Sequence, residues 1–196
     1  VKIIGIAGLP RSGKDTLAEL LVKDGYYGVS LGDIVRGFAR KRHKDKPDPI
    51  SVANMTETAN WLRETHGADV VLKEALKRYK EAFKSKQYKG VVLFSVRVSV
   101  EVDFILARGG ELIWVEANDE VRHERGFHNM REGEVKLSLE EFKRQEALQW
   151  QPQPGVPAEV QMDIAYVKSH ATKTLENNGN SREEFIKTAQ QLITDR

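Results

Sequence analysis

Residues 8–16 read Gly-Leu-Pro-Arg-Ser-Gly-Lys-Asp-Thr, and this spacing is suited to holding a chain of negative charge. Gly8 and Gly13 bracket a loop that must curl tightly, and glycine reaches backbone angles that a side chain forbids. A curled backbone turns successive N–H groups inward as an anion nest. A helix following the loop adds the positive end of its dipole. Lys14 brings a mobile full charge to the outer members of a phosphate chain. Asp15 stands where a Ser or Thr hydroxyl would usually ligate Mg2+, and its carboxylate is a hard oxygen ligand for the same ion. Thr16 reads as a contact to an inner phosphate. Gly8, Leu9, Pro10, Arg11, Ser12, Gly13, Lys14, Asp15 and Thr16 together form a candidate phosphate-binding P-loop, with ATP and Mg2+ as the implied ligands.

Phosphoryl transfer is mostly positioning and charge neutralisation, so arginines and a carboxylate should gather near such a loop. Arg36 and Arg97 follow the ends of two expected strands, where a planar guanidinium can grip a phosphate through two parallel hydrogen bonds. Arg63 lies on a helix between them and can help. Asp33 can orient a metal-bound water, join Asp15 as a metal ligand, or accept a proton from an acceptor hydroxyl; an alternative role is helix N-cap. Arg122, Arg125 and Arg131 fall in a segment rich in Arg, His and Gly without a clean period. It reads as a mobile lid that could close over the transferring phosphate, or equally as a charged exposed loop. The five histidines show no paired metal spacing, and His123 and His128 read as solvated. Trp61, Trp114 and Trp150 read as packing residues.

Elements must place these groups together. Residues 3–7 are a β-branched apolar run, and the apolar residues among 17–22 recur at helical spacing. Residues 26–30 read as a second strand, with a helix starting near Asp33. Residues 40–49 are basic and proline-punctuated and read as a loop. Ser51 opens a helix with Val52, Met55, Ala59 and Leu62 on one face, ended by His66-Gly67. Another helix follows over 68–83. Residues 90–94 form a continuous apolar run typical of a strand buried on both faces. A helix over 100–107, a strand over 111–116 and a helix capped by Asn118 or Asp119 come next. Ser138 and Glu141 form a capping box, opening a helix to about Trp150. Residues 151–157 are proline-rich loop, followed by a weaker helical stretch. A last strand over 171–176, a turn over 177–180, and a closing helix capped by Ser181 complete the alternation. Alternating strands and helices imply an α/β fold with a parallel sheet of about five strands, covered on both faces. Ligands of such sheets gather beyond the carboxyl ends of the strands, which places Asp33 near the P-loop.

The 196 residues, 40% of them hydrophobic, suffice for one core. A net charge of +2 with both signs interspersed argues against a dedicated nucleic-acid binder. The absence of cysteine excludes disulfides, thiolate metal sites and cysteine nucleophiles. It also suits a reducing cytoplasm. No apolar run approaches membrane-spanning length, and no basic leader precedes an apolar segment. A cytoplasmic protein without membrane or nucleic-acid partners is the expectation; oligomeric state is left open.

The Arg-Ser-Gly-Lys-Asp-Thr run at 11–16 resembles the P-loop of phage-type deoxynucleoside monophosphate kinases. Ser-Leu-Gly-Asp-Ile-Val-Arg at 30–36 is similar to the segment of adenylate kinases that binds the acceptor phosphate through the arginine matching Arg36. Leu31 replaces their threonine. Arg97 with Glu101 resembles the Arg-x-x-x-Glu pattern after the third strand of the phage kinases. It is also similar to prokaryotic P-loop kinases related to dephospho-CoA kinase, whose catalytic aspartate matches Asp33. Their late Asn-x-Gly-Ser-x-x-Glu segment is comparable to residues 177–184 and puts Asn178 and Gly179 near the adenine. Those relatives carry an aspartate before the third-strand arginine, where this chain has Phe94 and Ser95.

The resemblance implies a single three-layer P-loop kinase-like domain over 1–196, with an acceptor-binding insertion at about 37–88 and an arginine-rich lid at about 122–137. It implies ATP- and Mg2+-dependent transfer to a small phosphorylated acceptor, a nucleoside or deoxynucleoside monophosphate before dephospho-CoA. Lys14, Asp33, Arg97, Arg122 and Arg125 would be catalytic. Arg36, Arg63, Arg97 and Glu101 would bind the acceptor, and Asp15 and Asp33 the metal. An ATP-binding protein that is not a kinase is the alternative outside catalysis.

Overall fold

A computed structural model describes residues 1–128, 136–147, 150, 155–179 and 181–194. Five parallel strands run β1 (Lys2–Ala7), β2 (Tyr27–Ser30), β3 (Gly90–Phe94), β4 (Glu111–Glu116) and β5 (Lys173–Glu176), in the spatial order β2-β3-β1-β4-β5. β1 is central: Ile3 pairs with Val91 of β3, and Ile6 with Ile113 of β4. Its side chains alternate between the two faces of the sheet. Ile3 and Ala7 join one apolar cluster with Val91, Leu93 and Trp114, and Ile4 and Ile6 join the other with Leu17, Leu21 and Val115. Both faces are thus covered, as the continuous apolar strands require.

The helices are α1 (Lys14–Lys23), α2 (Leu31–Arg42), α3 (Val52–His66), α4 (Val70–Phe83), α5 (Ser99–Ala107), α6 (Asp119–His128), α7 (Leu139–Ala147), α8 (Ile164–Ser169) and α9 (Arg182–Thr194). Several caps follow the sequence. Ser51 Oγ accepts from Asn54 N, Ser138 Oγ from Glu141 N, and Ser181 Oγ from Glu184 N.

Both ends of α2 and the buried face of α3 differ from expectation. α2 begins at Leu31, because Ser30 is the N-cap and its Oγ accepts from Asp33 N at 3.0 Å. Asp33 therefore sits in the first turn, where a negative charge meets the positive helix end. α2 also runs through Arg42 into the expected loop, since Ala39 and His43 are buried one turn apart and His43 Nε2 meets Thr58 Oγ1 at 3.1 Å. The basic run Arg40, Lys41 and Arg42 forms the last turn, where cations suit the helix dipole. In α3 the apolar face is rotated from the expected one: Val52 is 71% exposed, whereas Asn54, Thr58, Leu62 and Arg63 are buried. Met55 and Ala59 do pack against the core. Polar partners made this face invisible to a hydrophobic pattern, since Asn54 is satisfied by Asp48 O and Lys46 Nζ.

Candidate active site

The P-loop joins β1 to α1. Gly8 has φ +150°, Arg11 +66° and Gly13 +104°, so the loop curls through the left-handed region at three places. A Cβ on Gly13 would lie 2.3 Å from Asn177 Nδ2, and one on Gly8 would lie 2.6 Å from Val115 O. Only glycine fits at either position. Asn177 Nδ2 donates to Ser12 O at 2.7 Å, while its own backbone N–H binds Glu116 O. The loop after β5 thereby holds the P-loop in shape. Leu9 is buried in the core and Ser12 is 1% exposed, so these two offer a ligand their backbone. Thr16 is half-buried in the first turn of α1.

A cleft of about 750 Å³ opens at the carboxyl ends of the strands. Pro10, Arg11, Lys14 and Asp15 line it from the P-loop. Asp33 and Arg36 reach it from α2, Arg63 from α3, and Arg97 and Glu101 from beyond β3. Residues separated by most of the chain thus meet in one space, because parallel strands present all their carboxyl ends to the same edge. Phe94 and Ser95 line the same cleft at the end of β3, and Ser95 takes φ +66°. Neither supplies the carboxylate expected of the resembling kinases.

The charged groups are ordered by pairing. Arg36 Nη1 forms an ion pair with Asp33 Oδ1 at the half-exposed rim. Glu101 is buried at 2% exposure. Its Oε2 accepts from Arg97 N at 2.9 Å and Val98 N at 3.4 Å, capping α5. Its Oε1 faces Arg63 Nη2 at 3.6 Å. Burial pushes the Glu101 carboxyl above its ordinary pKa, against the downward pull of Arg63 and the two amides. Arg63 also donates to Val160 O at 3.1 Å, and Arg97 Nη1 to Met162 Sδ at 3.7 Å. The acceptor-binding role expected of Glu101 meets a carboxylate committed to the chain itself; sequence spacing alone could not reveal that commitment.

The expected lid differs most. Residues 122–128 complete α6, a helix whose charged composition concealed its period. Arg122 is 0% exposed. Its guanidinium makes a two-pronged pair with Glu146 of α7, and also bonds Asp119 Oδ1 at 2.6 Å, Ala117 O at 2.9 Å and Pro10 O at 3.4 Å. Burial alone would lower its pKa, but the bonded Glu146 and Asp119 carboxylates outweigh it and hold the group charged. Arg122 is thus a buried brace under the P-loop, in place of the closing lid arginine expected. Arg125 donates to Arg11 O at 3.2 Å, Asn177 Oδ1 at 3.1 Å and Gly179 O at 2.9 Å, tying the P-loop to the loop after β5. Asn178 Oδ1 accepts from Asn118 N at 2.8 Å. Asn178 and Gly179 are exposed beside this brace, outside the lining of the cleft. His123, expected to be solvated, lines the cleft and its Nε2 donates to Leu137 O at 2.7 Å. Arg131 lies outside the described residues.

Glu146, Asn60 and Met162 line the cleft without having been singled out in the sequence, and Asn177 carried no assigned role there. Asn177 ends a parallel strand, the place where such sheets hold ligands, and that rule could have singled it out. Glu146 carries no local signal.

The residues fit a nucleotide with its metal in two respects. The glycine-only curl leaves a backbone cradle at the start of α1, and Asp15 and Asp33 offer hard oxygen donors to the same cleft. Among the described residues no helix is long and apolar enough to cross a membrane.

Residues 4–148 match a protein family described as AAA domain. A UPF0200/UPF0201 protein of Archaeoglobus fulgidus is 32% identical over 198 residues, covering 98% of this chain; the chain spans 55% of that relative's length. The solved structure of TT1252 from Thermus thermophilus aligns with a TM-score of 0.57 at 24% identity, over 99% of this chain and 96% of that one. Dephospho-CoA kinase from Campylobacter jejuni aligns with a TM-score of 0.50 at 17% identity, over 98% and 96%. At these identities the two structures speak for the fold: a P-loop kinase architecture.

Proposed function

The chain belongs to the P-loop kinase-like family described as AAA domain, and from that premise we propose that it is an ATP- and Mg2+-dependent phosphotransferase with a small phosphorylated acceptor. Nucleoside and deoxynucleoside monophosphates are the first acceptor class. The observation that carries this reading is the shared cleft: Lys14 and Asp15 face the same space as Asp33, Arg36, Arg63 and Arg97. Anion-binding groups on both walls suit a donor triphosphate on one side and an acceptor phosphate on the other.

In this reading the P-loop amides and Lys14 hold the β- and γ-phosphates. Mg2+ would neutralise charge on the phosphates, held by Asp15 with Asp33. Arg36 and Arg97 grip the acceptor phosphate. The γ-phosphorus–oxygen bond to ADP breaks, a bond to an acceptor oxygen forms, and ADP departs. Residues 1–196 act as a single kinase-like domain, with the acceptor walls in the insertion at about 37–88.

The test is ADP release with ATP and Mg2+ against a panel of acceptors: the ribo- and deoxyribonucleoside monophosphates and dephospho-CoA. Release stimulated by one acceptor, and lost in Lys14→Ala, is the expected result. No stimulation by any acceptor would sink the kinase reading. One observation favours a second reading: the neutral end of β3, at Phe94 and Ser95, suits a protein that binds ATP as a conformational ligand. Tight ATP binding without turnover across the panel would support it.

A further inference from the structure

The acceptor wall of the cleft is made largely by α3. Arg63, Asn60, Ala59, Thr56, Met55 and Val52 line it on successive turns. At about 1.5 Å of rise per residue, Asn60 stands about 4.5 Å and Thr56 about 10 Å from Arg63 along the helix axis. The wall therefore grades from a cation, beside Arg97 and Glu101, to a stretch with both apolar and amide character.

The polar groups on this wall differ in what they have left to offer. Arg63 is fixed by Glu101 and Val160 O. Thr56 Oγ1 donates to Val52 O at 2.9 Å. Ser51 Oγ accepts from Asn54 N at 3.3 Å. Glu101, the other group placed to read an acceptor, is spent on capping α5 and pairing Arg63. Asn60 makes no side-chain hydrogen bond with any described residue, is half-buried, and faces the cleft. Its amide carries two donors and a carbonyl acceptor on one plane. Met55, Ala59 and Met162 supply apolar and polarisable surface to the same space, and thioether sulfur makes favourable contacts with aromatic rings.

We infer that Asn60 is the specificity-determining residue of the acceptor site, and that it reads the hydrogen-bonding edge of a planar heterocyclic base carried by the acceptor, with Met55 and Met162 against the ring. This rests on the acceptor-cleft reading above and sharpens it: the acceptor is a nucleotide rather than a phosphorylated aliphatic acid or polyol. Asn60 acts on acceptor affinity and leaves the donor triphosphate to Lys14. Because it makes no side-chain hydrogen bond among the described residues, its replacement leaves stability nearly unchanged.

The experiment is calorimetric titration of uridine, cytidine, adenosine and guanosine monophosphates into the wild-type protein, Asn60→Leu and Asn60→Asp, each with a non-hydrolysable ATP analogue and Mg2+. Turnover assays run in parallel. Leucine removes the whole hydrogen-bonding edge, and aspartate removes only the donors. The expected result is a loss of about 10- to 100-fold in acceptor affinity in Asn60→Leu for the preferred base, with ATP-analogue affinity and melting temperature unchanged. Asn60→Asp should retain binding of a base that presents an amino donor better than of one that presents only carbonyls. Unchanged acceptor affinity in both variants overturns the inference, as does a fall in kcat with KM unchanged. Ribose 5-phosphate is titrated alongside, and wild-type affinity for it equal to or above that for the preferred monophosphate also overturns the inference. Binding of a monophosphate that Asn60→Leu abolishes, without turnover in any protein, fells the kinase reading and upholds the inference.

Discussion

Gly13 concentrates three demands on one residue. Its φ of +104°, its place before the first amide of α1, and the 2.3 Å that a Cβ would leave to Asn177 Nδ2 all exclude a side chain. Gly13→Ala should cost about 1–3 kcal/mol from the backbone alone, with more from displaced Asn177. Urea denaturation measures it, and a change below about 0.5 kcal/mol would contradict this packing. Glu101 makes a prediction in pH. Its carboxyl is held above the ordinary value of 4.5 by burial. The folded state therefore binds that proton more readily than the unfolded chain. Stability from this group is present at low pH and is lost as pH rises from about the ordinary carboxylate range through the raised pKa. Glu101→Gln should remove that downward slope from a plot of unfolding free energy against pH; an identical slope in both proteins would mean another group causes it.

At the scale of elements, α6 and α7 are joined through one buried ion pair. Arg122 is fully buried and Glu146 is 5% exposed. Removing Glu146 leaves the buried guanidinium with the half-exposed Asp119 as its carboxylate partner, which costs up to about 3–5 kcal/mol. Glu146→Ala should show a loss of that size in denaturant melts. The double change Arg122→Met with Glu146→Leu should recover much of it, since two apolar groups leave no charge uncompensated. A double variant as unstable as the single one would show that the bonds to Pro10 O and Ala117 O carry the effect. α3 gives a contrast within one helix. Leu62, 1% exposed, should cost about 2–5 kcal/mol on change to Ala. Val52, 71% exposed, should change stability by no more than about 0.5 kcal/mol. The hydrophobic pattern treated these two residues alike, and thermal melts distinguish them.

At the scale of the whole molecule, the sheet order β2-β3-β1-β4-β5 sets the P-loop at the centre of the carboxyl edge, flanked by the loops after β3 and β4. A ligand bound there bridges many elements, so it should stabilise the entire fold. At a concentration of about 100 times Kd, ATP with Mg2+ should add about 2.7 kcal/mol. For a domain of this size that raises Tm by roughly 5–10 °C, and Lys14→Ala should abolish the rise. An unchanged shift in the variant would contradict the placement of the triphosphate. The P-loop, the strands and their alternation with helices were legible in the chain, because backbone curl, side-chain period and caps are local properties. From them the parallel sheet, and the gathering of Asp33, Arg36, Arg63 and Arg97 near Lys14, followed by topology. The fates of Arg122, Glu101 and Val52 were decided only in three dimensions. A guanidinium reads the same in sequence whether it meets phosphate or Glu146, and a carboxylate the same whether it waits for a ligand or caps a helix. Which partner each charge finds depends on chain segments far away, brought near by packing, and no local spacing carries that information.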